Sequence, residues 1–385
     1  MRDTYLPYGK QMLDDADIEA VVNVLKGDYL TTGPMINKFE ERIAEYVGAK
    51  YAVAFTNGTA ALHGACFAAG IGEGDEVITS PITFAASANC VLYQGGTVVF
   101  ADIDQQSYNI DPLEIQKKIT PNTKAIIPVH FTGQPVYLDA IHKLAKEHNL
   151  VIIEDAAHAL GATYKGEKIG ALSDMTMFSF HPVKHITTGE GGIITTNSKE
   201  YYEKLTQFRS HGITRKSELL TENHGPWYYE MQFLGYNYRM TDIQAALGCS
   251  QLEKLDSFVK RRKEIVAAYN EAFSDLLEVQ TPDQHPDTDS SWHLYILKLN
   301  LPTITVSRKE VFEELHKLNI GVNVHYIPVH TLSYYQELGY KRGSLPNAEQ
   351  LYQEIISLPL FPLMQEQDIQ DVIEAVKLVI KKVGK

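Results

Sequence analysis

Val151-Ile152-Ile153-Glu154-Asp155-Ala156-Ala157-His158 is the stretch on which the fold turns. An apolar, β-branched run that ends in carboxylates and gives way to small residues reads as a strand buried on both faces, with its polar chemistry at the carboxyl end. Outward from it, between residues 51 and 196, comparable runs recur at Tyr51–Phe55, Glu76–Ser80, Val98–Ile103, Ala125–His130, Met175–Phe180 and Gly192–Thr196, with helical stretches at Leu113–Lys118 and Leu138–His148. That alternation predicts an α/β unit whose largely parallel sheet is covered on both faces. Asp14–Lys26 reads as an amphipathic helix ahead of it, with Asp14 or Asp15 near its start and Gly27 at its end.

Beyond about residue 250 the pattern changes. A long helical period at Gln251–Phe273 and a polar connection at Thr281–Ser291 are followed by a strand at Trp292–Leu299, a helix at Arg308–Leu318 and a strand at Val322–Tyr326. A helix near Ala348–Ile356 and a last one at Gln367–Lys382 complete a smaller α+β unit. The expected division is a large unit over residues 1–250, N-terminal helix included, and a small one over 251–385. Thr214–Glu230 is a long polar loop in the large unit, and loops of that length commonly carry function.

A chain of 385 residues exceeds what one hydrophobic core usually supports, and an apolar share of 44% is ample for packed cores. The net charge of -13 repels a phosphate backbone, so nucleic acid is not an expected partner. Charge and proline in Met1–Tyr8 replace the apolar run of a secretory signal, and no segment reads as a membrane span, so the expectation is a soluble cytoplasmic protein. Cys66, Cys90 and Cys249 share no short spacing; neither disulfides nor a metal site is expected, and they read as buried small apolar residues.

Chemistry gathers at strand ends. Asp155 lies at the carboxyl edge, where open parallel sheets bind ligands, and Lys184 follows the strand-end run Ser179-Phe180-His181-Pro182-Val183. An amine for an aldehyde and a carboxylate for a ring nitrogen are what pyridoxal phosphate needs of a protein. An ordinary lysine, with a pKa of about 10.4, is a poor nucleophile. The proline before Lys184 and the turn through Thr187–Gly192 after it describe a constrained loop instead of a solvated helix face. Asp155 also reads as a helix cap, and His158 either faces the phenolic oxygen of the cofactor or only packs against it.

The tract Phe55-Thr56-Asn57-Gly58-Thr59-Ala60-Ala61-Leu62-His63 is a strand, a polar turn and a helix start whose free N–H groups can hold a phosphate, with hydroxyls from Thr59 and Ser179. The same turn also reads as a plain cap by Thr56 or Asn57. Phe84, just past another strand, stacks on a planar ring or belongs to the core. Gly70-Ile71-Gly72-Glu73-Gly74 follows a helix and precedes a strand, the reverse of a dinucleotide fingerprint. His325 and His330 have no Cys/His companions, so no metal is expected there.

Taken together, Asn57-Gly58-Thr59-Ala60-Ala61-Leu62, Glu154-Asp155-Ala156-Ala157-His158, Ser179-Phe180 with Lys184, Gly189-Glu190-Gly191-Gly192 and Gly235-Tyr236-Asn237-Tyr238-Arg239-Met240 resemble the DegT/DnrJ/EryC1/StrS family of sugar aminotransferases over nearly the whole chain. The run His181–Lys184 with Ile186–Gly192, and Trp227-Tyr228-Tyr229-Glu230-Met231-Gln232, are similar to its PseC branch. That branch aminates C4 of a UDP-linked 2-acetamido-2,6-dideoxy-4-ketohexose on the way to pseudaminic acid.

The resemblance implies a PLP-dependent transferase of fold type I, a homodimer with active sites at the subunit interface, and L-glutamate as the amino donor. By position it makes Lys184 the cofactor-bearing lysine, Asp155 the ring-nitrogen partner, Phe84 the stacking aromatic, and Thr59 and Ser179 phosphate ligands. Asn237 would reach in from the neighbouring subunit. Tyr8, Asp28-Tyr29-Leu30-Thr31, Gly58 and Val324-His325-Tyr326-Ile327 match stretches that contact the sugar nucleotide, with Ser179 and Asn237 beside them. His185 departs from the branch, which often has proline there. Competing expectations are another nucleotide-4-ketosugar aminotransferase, giving the C4-epimeric amine or acting on a ketopentose, and a cofactor-binding regulatory homologue without catalysis. A dehydratase relative would carry histidine in place of the lysine.

Overall fold

The computed structural model describes residues 2–385. Its centre is a seven-stranded sheet made of β1 (Tyr51–Phe55), β2 (Glu76–Thr79), β3 (Thr97–Phe100), β4 (Thr123–Ile127), β5 (Val151–Asp155), β6 (Met175–Ser179) and β7 (Gly192–Thr196), in the spatial order β1-β7-β6-β5-β4-β2-β3. Strands β2 to β6 pair parallel, whereas β7 runs antiparallel to both β1 and β6. The mostly parallel α/β architecture is therefore as expected, with one reversed strand.

The pleat explains why these strands are mostly apolar on both faces. Val53, Phe55, Val77, Ala125, Ile127, Ile153, Met177 and Ile194 point into one core. Their chain neighbours Ala52, Ala54, Ile78, Ile126, Ile152, Phe178 and Ile193 point into a second core on the opposite face. With helices over both faces, most interior strand positions are apolar, and the buried exceptions Thr176 and Thr195 satisfy their hydroxyls on Glu154 and on the Gly170 carbonyl. Cys66, Cys90 and Cys249 are buried within these cores.

A three-stranded antiparallel sheet, β8 (Val279–Gln280), β9 (Tyr295–Leu299) and β10 (Ile355–Leu358), builds a third core with the helices Arg308–Lys317 and Glu366–Val383. The helix Leu255–Phe273 joins the cores. Its first turns place Leu255, Phe258 and Val259 on the large sheet's side, and its later turns place Ile265, Val266, Tyr269 and Phe273 in the third core.

Several elements differ from expectation. The helical period from Gln251 is interrupted at Glu253–Lys254, between the helices Asp242–Leu252 and Leu255–Phe273, where Lys254 turns its amine onto buried Asp17 at 2.8 Å. Val322–Tyr326 forms only a single bridge, Asn323 to Ser357, because the chain then carries His325 and Tyr326 toward the site below. Helix Pro346–Glu354 stops short of Ile356, since Ile355–Leu358 pairs with β9; edge pairing overrides helical periodicity for this β-branched run. The Thr214–Glu230 loop is closed at its base by pairing of Ile213–Thr214 with Glu230–Met231. Glu230 also accepts hydrogen bonds from Thr221 and Glu222 N–H groups at 2.7 and 3.1 Å. No described helix is long and apolar enough to cross a membrane.

Candidate active site

Three strand ends meet because β7 lies between β1 and β6. Gly192, its first residue, pairs with Phe55 on one side and Ser179 on the other, so the Asn57–Gly58 turn and Ser179 become neighbours. Asn57 caps the helix Gly58–Ala68, its side-chain oxygen accepting from Ala60 N–H at 2.8 Å, and Gly58, Thr59 and Ala60 of that first turn line the same space. A Cβ on Gly58 would sit 3.3 Å from Met177 Sδ and 3.4 Å from Ser179 Cβ, so the turn approaches the sheet as closely as glycine allows.

The loop after β6 is tied back on itself. Phe180 N–H donates to the Gly191 carbonyl at 2.9 Å, Thr188 N–H to the Phe180 carbonyl at 3.0 Å, and Lys184 N–H to the His181 carbonyl at 2.9 Å. The turn thus sends the Lys184 side chain inward, into a cavity of about 650 Å³ that Asp155, Thr59 and Phe84 also line.

Burial governs the electrostatics here. Asp155 is pushed up from the ordinary carboxylate range by burial, opposed by a 2.6 Å bond from Ser87 Oγ, a 3.1 Å bond from Ala157 N–H and the Lys184 charge. Burial brings the Lys184 amine down to about 8, with Asp155 opposing that fall and the Arg262 cation adding to it. His158 is held well below its usual value by burial and then by Lys184; its Nε2 lies 3.1 Å from the Tyr326 hydroxyl, and its Nδ1 is buried without a partner.

Of the expected residues, Tyr8, Gly58, Thr59, Phe84, Asp155, His158, Ser179, Lys184, His325 and Tyr326 all line this one cavity. Phe84 is 63% exposed, which removes it from the core and leaves its ring on the cavity wall. Asp28, Tyr29, Leu30, Thr31, Asn237, Val324 and Ile327 do not line it. Asp28–Thr31 and Asn237 lie exposed on the surface.

Sequence reasoning missed others. His293 lies with its Nε2 3.3 Å from Lys184 Nζ, Ser87 holds Asp155, and Tyr93, His63, Glu190 and Tyr238 line the cavity. Tyr238 stood inside a quoted motif, and the Trp292-His293 pair ahead of an apolar strand was a visible signal. Ser87, in the first turn of the helix Ala86–Tyr93, gave none.

A lysine amine near neutrality, a buried carboxylate across the cavity, an N-terminal helix turn flanked by Thr59 and Ser179, an aromatic wall and an unpartnered histidine nitrogen fit pyridoxal phosphate. Fold and site together define a pyridoxal-phosphate-dependent transaminase. The family profile described as the DegT/DnrJ/EryC1/StrS aminotransferase family matches residues 11–377. The chain is 44% identical to the spore coat polysaccharide biosynthesis protein SpsC of Bacillus subtilis, over 99% of this chain and 98% of that one. It is 40% identical to a UDP-4-amino-4,6-dideoxy-N-acetyl-beta-L-altrosamine transaminase of Campylobacter jejuni, over 99% of both. Helicobacter pylori PseC, an aminotransferase of pseudaminic acid biosynthesis, superimposes with a TM-score of 0.91 at 35% identity, covering 98% of this chain and 100% of that one.

The chain belongs to the DegT/DnrJ/EryC1/StrS aminotransferase family. It is a sugar aminotransferase with the fold of the pyridoxal-phosphate-dependent transferases, and pyridoxal phosphate is its cofactor.

Proposed function

We propose that this enzyme transfers the amino group of L-glutamate to C4 of UDP-2-acetamido-2,6-dideoxy-4-ketohexose, the amination step toward pseudaminic acid. Identity of 40% over 99% of the Campylobacter transaminase carries the reading of the substrate. For the chemistry, the supporting observation is a lysine amine at about 8 in one cavity with buried Asp155.

When bound, pyridoxal phosphate supplies an aldehyde that condenses with amines and a ring that takes up the electron pair left on the substrate carbon. Lys184 carries the cofactor at rest and afterwards moves a proton between substrate carbon and cofactor carbon. Asp155 keeps a negative charge against the ring nitrogen, held there by Ser87 and Ala157. Gly58, Thr59 and Ser179 hold the phosphate, Phe84 covers the ring face, and His158, fixed by Tyr326, faces the phenolic edge. Tyr8, His325 and Tyr326 form the wall toward the sugar, with Val324 and Ile327 flanking them in sequence.

Asn237 and the run Asp28-Tyr29-Leu30-Thr31 act, in this reading, on a second copy's cavity. Tyr29, Leu30, Trp227 and Leu234 are large apolar side chains left 59, 48, 71 and 73% exposed, as a homodimer face requires. Large and small domains divide at residue 250, and the enzyme works in the cytoplasm, where nucleotide sugars are made.

The test is a panel of UDP-4-ketosugars offered with glutamate and read by mass spectrometry and NMR. Amination of the acetamido-hexose at C4 is the expected result; no amination of any hexose would overturn the assignment. The 44% identity to the spore coat protein favours a second reading, another nucleotide-4-ketosugar, and the configuration of the new C4–N bond separates the two.

A further inference from the structure

His293 has no structural reason to be a histidine. Its ring is buried, with 4% exposure, and Nδ1 has no partner among the described residues. The ring's single hydrogen bond runs from Nε2 to Lys184 Nζ, at 3.3 Å. A leucine would fill the same space without leaving a polar atom unpaired, so the polar ring costs stability unless it serves that amine.

The backbone around it is fixed with unusual care. Trp292, the residue before, is held at φ 53°, a left-handed conformation that bulky residues adopt only where surrounding contacts impose it. His293 N–H donates to the Thr132 carbonyl at 2.7 Å. Gly133, at φ 106°, passes so near that a Cβ would stand 2.8 Å from Trp292 N and 3.0 Å from His293 N. Arg262, 1% exposed and without a carboxylate partner, donates from Nη1 to the carbonyls of Trp292, His293 and Leu360 at 3.3, 3.2 and 2.9 Å. A buried guanidinium whose hydrogen bonds among the described residues all go to backbone carbonyls, through Nη1, holds that turn.

We propose that His293 is a positioning residue that receives the Lys184 amine when substrate has displaced it from the cofactor, and that Arg262 fixes His293 in place for this. The inference rests on the reading of Lys184 as the cofactor-bearing lysine. Burial keeps the imidazole well below its usual range, so the neutral ring accepts a hydrogen bond from the lysine ammonium and keeps it within reach of the reacting carbon. The other groups facing Lys184 are Asp155 at the end of β5, His158 after it, His181 and His185 on its own loop, His325 from the small-sheet side, and Arg262. Asp155 alone among them is an anion, and it faces the cofactor ring.

The test reads the proton affinity of Lys184 in the full chain without cofactor, from the pH midpoint of its acylation by limiting acetic anhydride, followed by peptide mass spectrometry. The natural chain should give a midpoint near 8. His293→Leu removes the acceptor that favours the ammonium, so the midpoint should fall by about one unit, a tenfold loss of proton affinity. His293→Gln, whose amide oxygen still accepts, should restore it. Should the leucine variant not fold, His293→Asn, too short to reach, gives the same comparison against His293→Gln. A folded leucine or asparagine variant with an unmoved or raised midpoint overturns the proposal. Borohydride reduction of the cofactor-loaded natural chain keeps the two readings apart: label on another lysine ends the parent reading, whereas label on Lys184 with an unmoved midpoint ends only this one.

Discussion

Lys184 is unusual for what its surroundings do to it. Since only the neutral amine attacks an aldehyde, and burial brings its pKa to about 8, capture of pyridoxal phosphate by the cofactor-free chain should accelerate up to about pH 8 and then level off. An exposed lysine would keep accelerating toward about pH 10.4. Absorbance stopped-flow across pH 6 to 10 decides between these profiles. If Lys184 carries the cofactor and moves the proton, as proposed, Lys184→Ala should lower turnover at least ~10³-fold, within the range general acid–base groups supply. The same variant should lose the protein-bound chromophore that borohydride fixes, and intact turnover would end the mechanism. Asp155 is less autonomous, because Ser87 and Ala157 hold its two oxygens.

At the scale of elements, β7 does more than complete a sheet. Gly192 lies under the Asn57–Gly58 turn, and a Cβ there would come within 2.5 Å of the Asn57 carbonyl carbon and oxygen and 2.7 Å of Gly58 N, backbone atoms that cannot step aside. Gly192→Ala should therefore push the helix Gly58–Ala68 off Ser179. The expected cost is about 1–3 kcal/mol of stability, the usual effect of overpacking, with cofactor affinity lowered at least tenfold. Thermal unfolding and a cofactor titration on the same variant check both parts; unchanged affinity would show that the turn does not hold the phosphate.

Much at this scale was legible beforehand. The strands of the large sheet follow from apolar runs and the helix Leu138–His148 from its period, because each of these elements buries a whole face and so writes its burial into the chain. The failures share one cause. Ile355–Leu358 and the break at Glu253–Lys254 are decided by a partner distant in sequence, β9 in one case and Asp17 in the other.

For the whole molecule the question is what a second copy adds. If Asn237 serves its neighbour's cavity, then Lys184→Ala and Asn237→Ala, each impaired alone, should regain activity when unfolded together and refolded as mixed dimers, since one of the two cavities then has both residues intact. Activity that stays at the level of the separate variants would show that Asn237 serves its own subunit. Analytical ultracentrifugation should find a dimer, and Trp227→Glu with Leu234→Glu, charges placed at two exposed apolar side chains, should shift it toward monomer.

The chain's own order determined that there would be a doubly covered, mostly parallel sheet, and that a lysine, an aspartate and the polar Asn57–Gly58 turn would stand at strand ends, since periodicity and turn chemistry are local. Only the tertiary structure decided that His293 joins Lys184 in one cavity, that Ser87, outside the lining, holds Asp155, and that Tyr326 meets His158. Those contacts arise where β7 inserts between β1 and β6 and where Arg262 holds the Trp292–His293 turn, and no spacing along the chain encodes the order in which strands come to lie side by side.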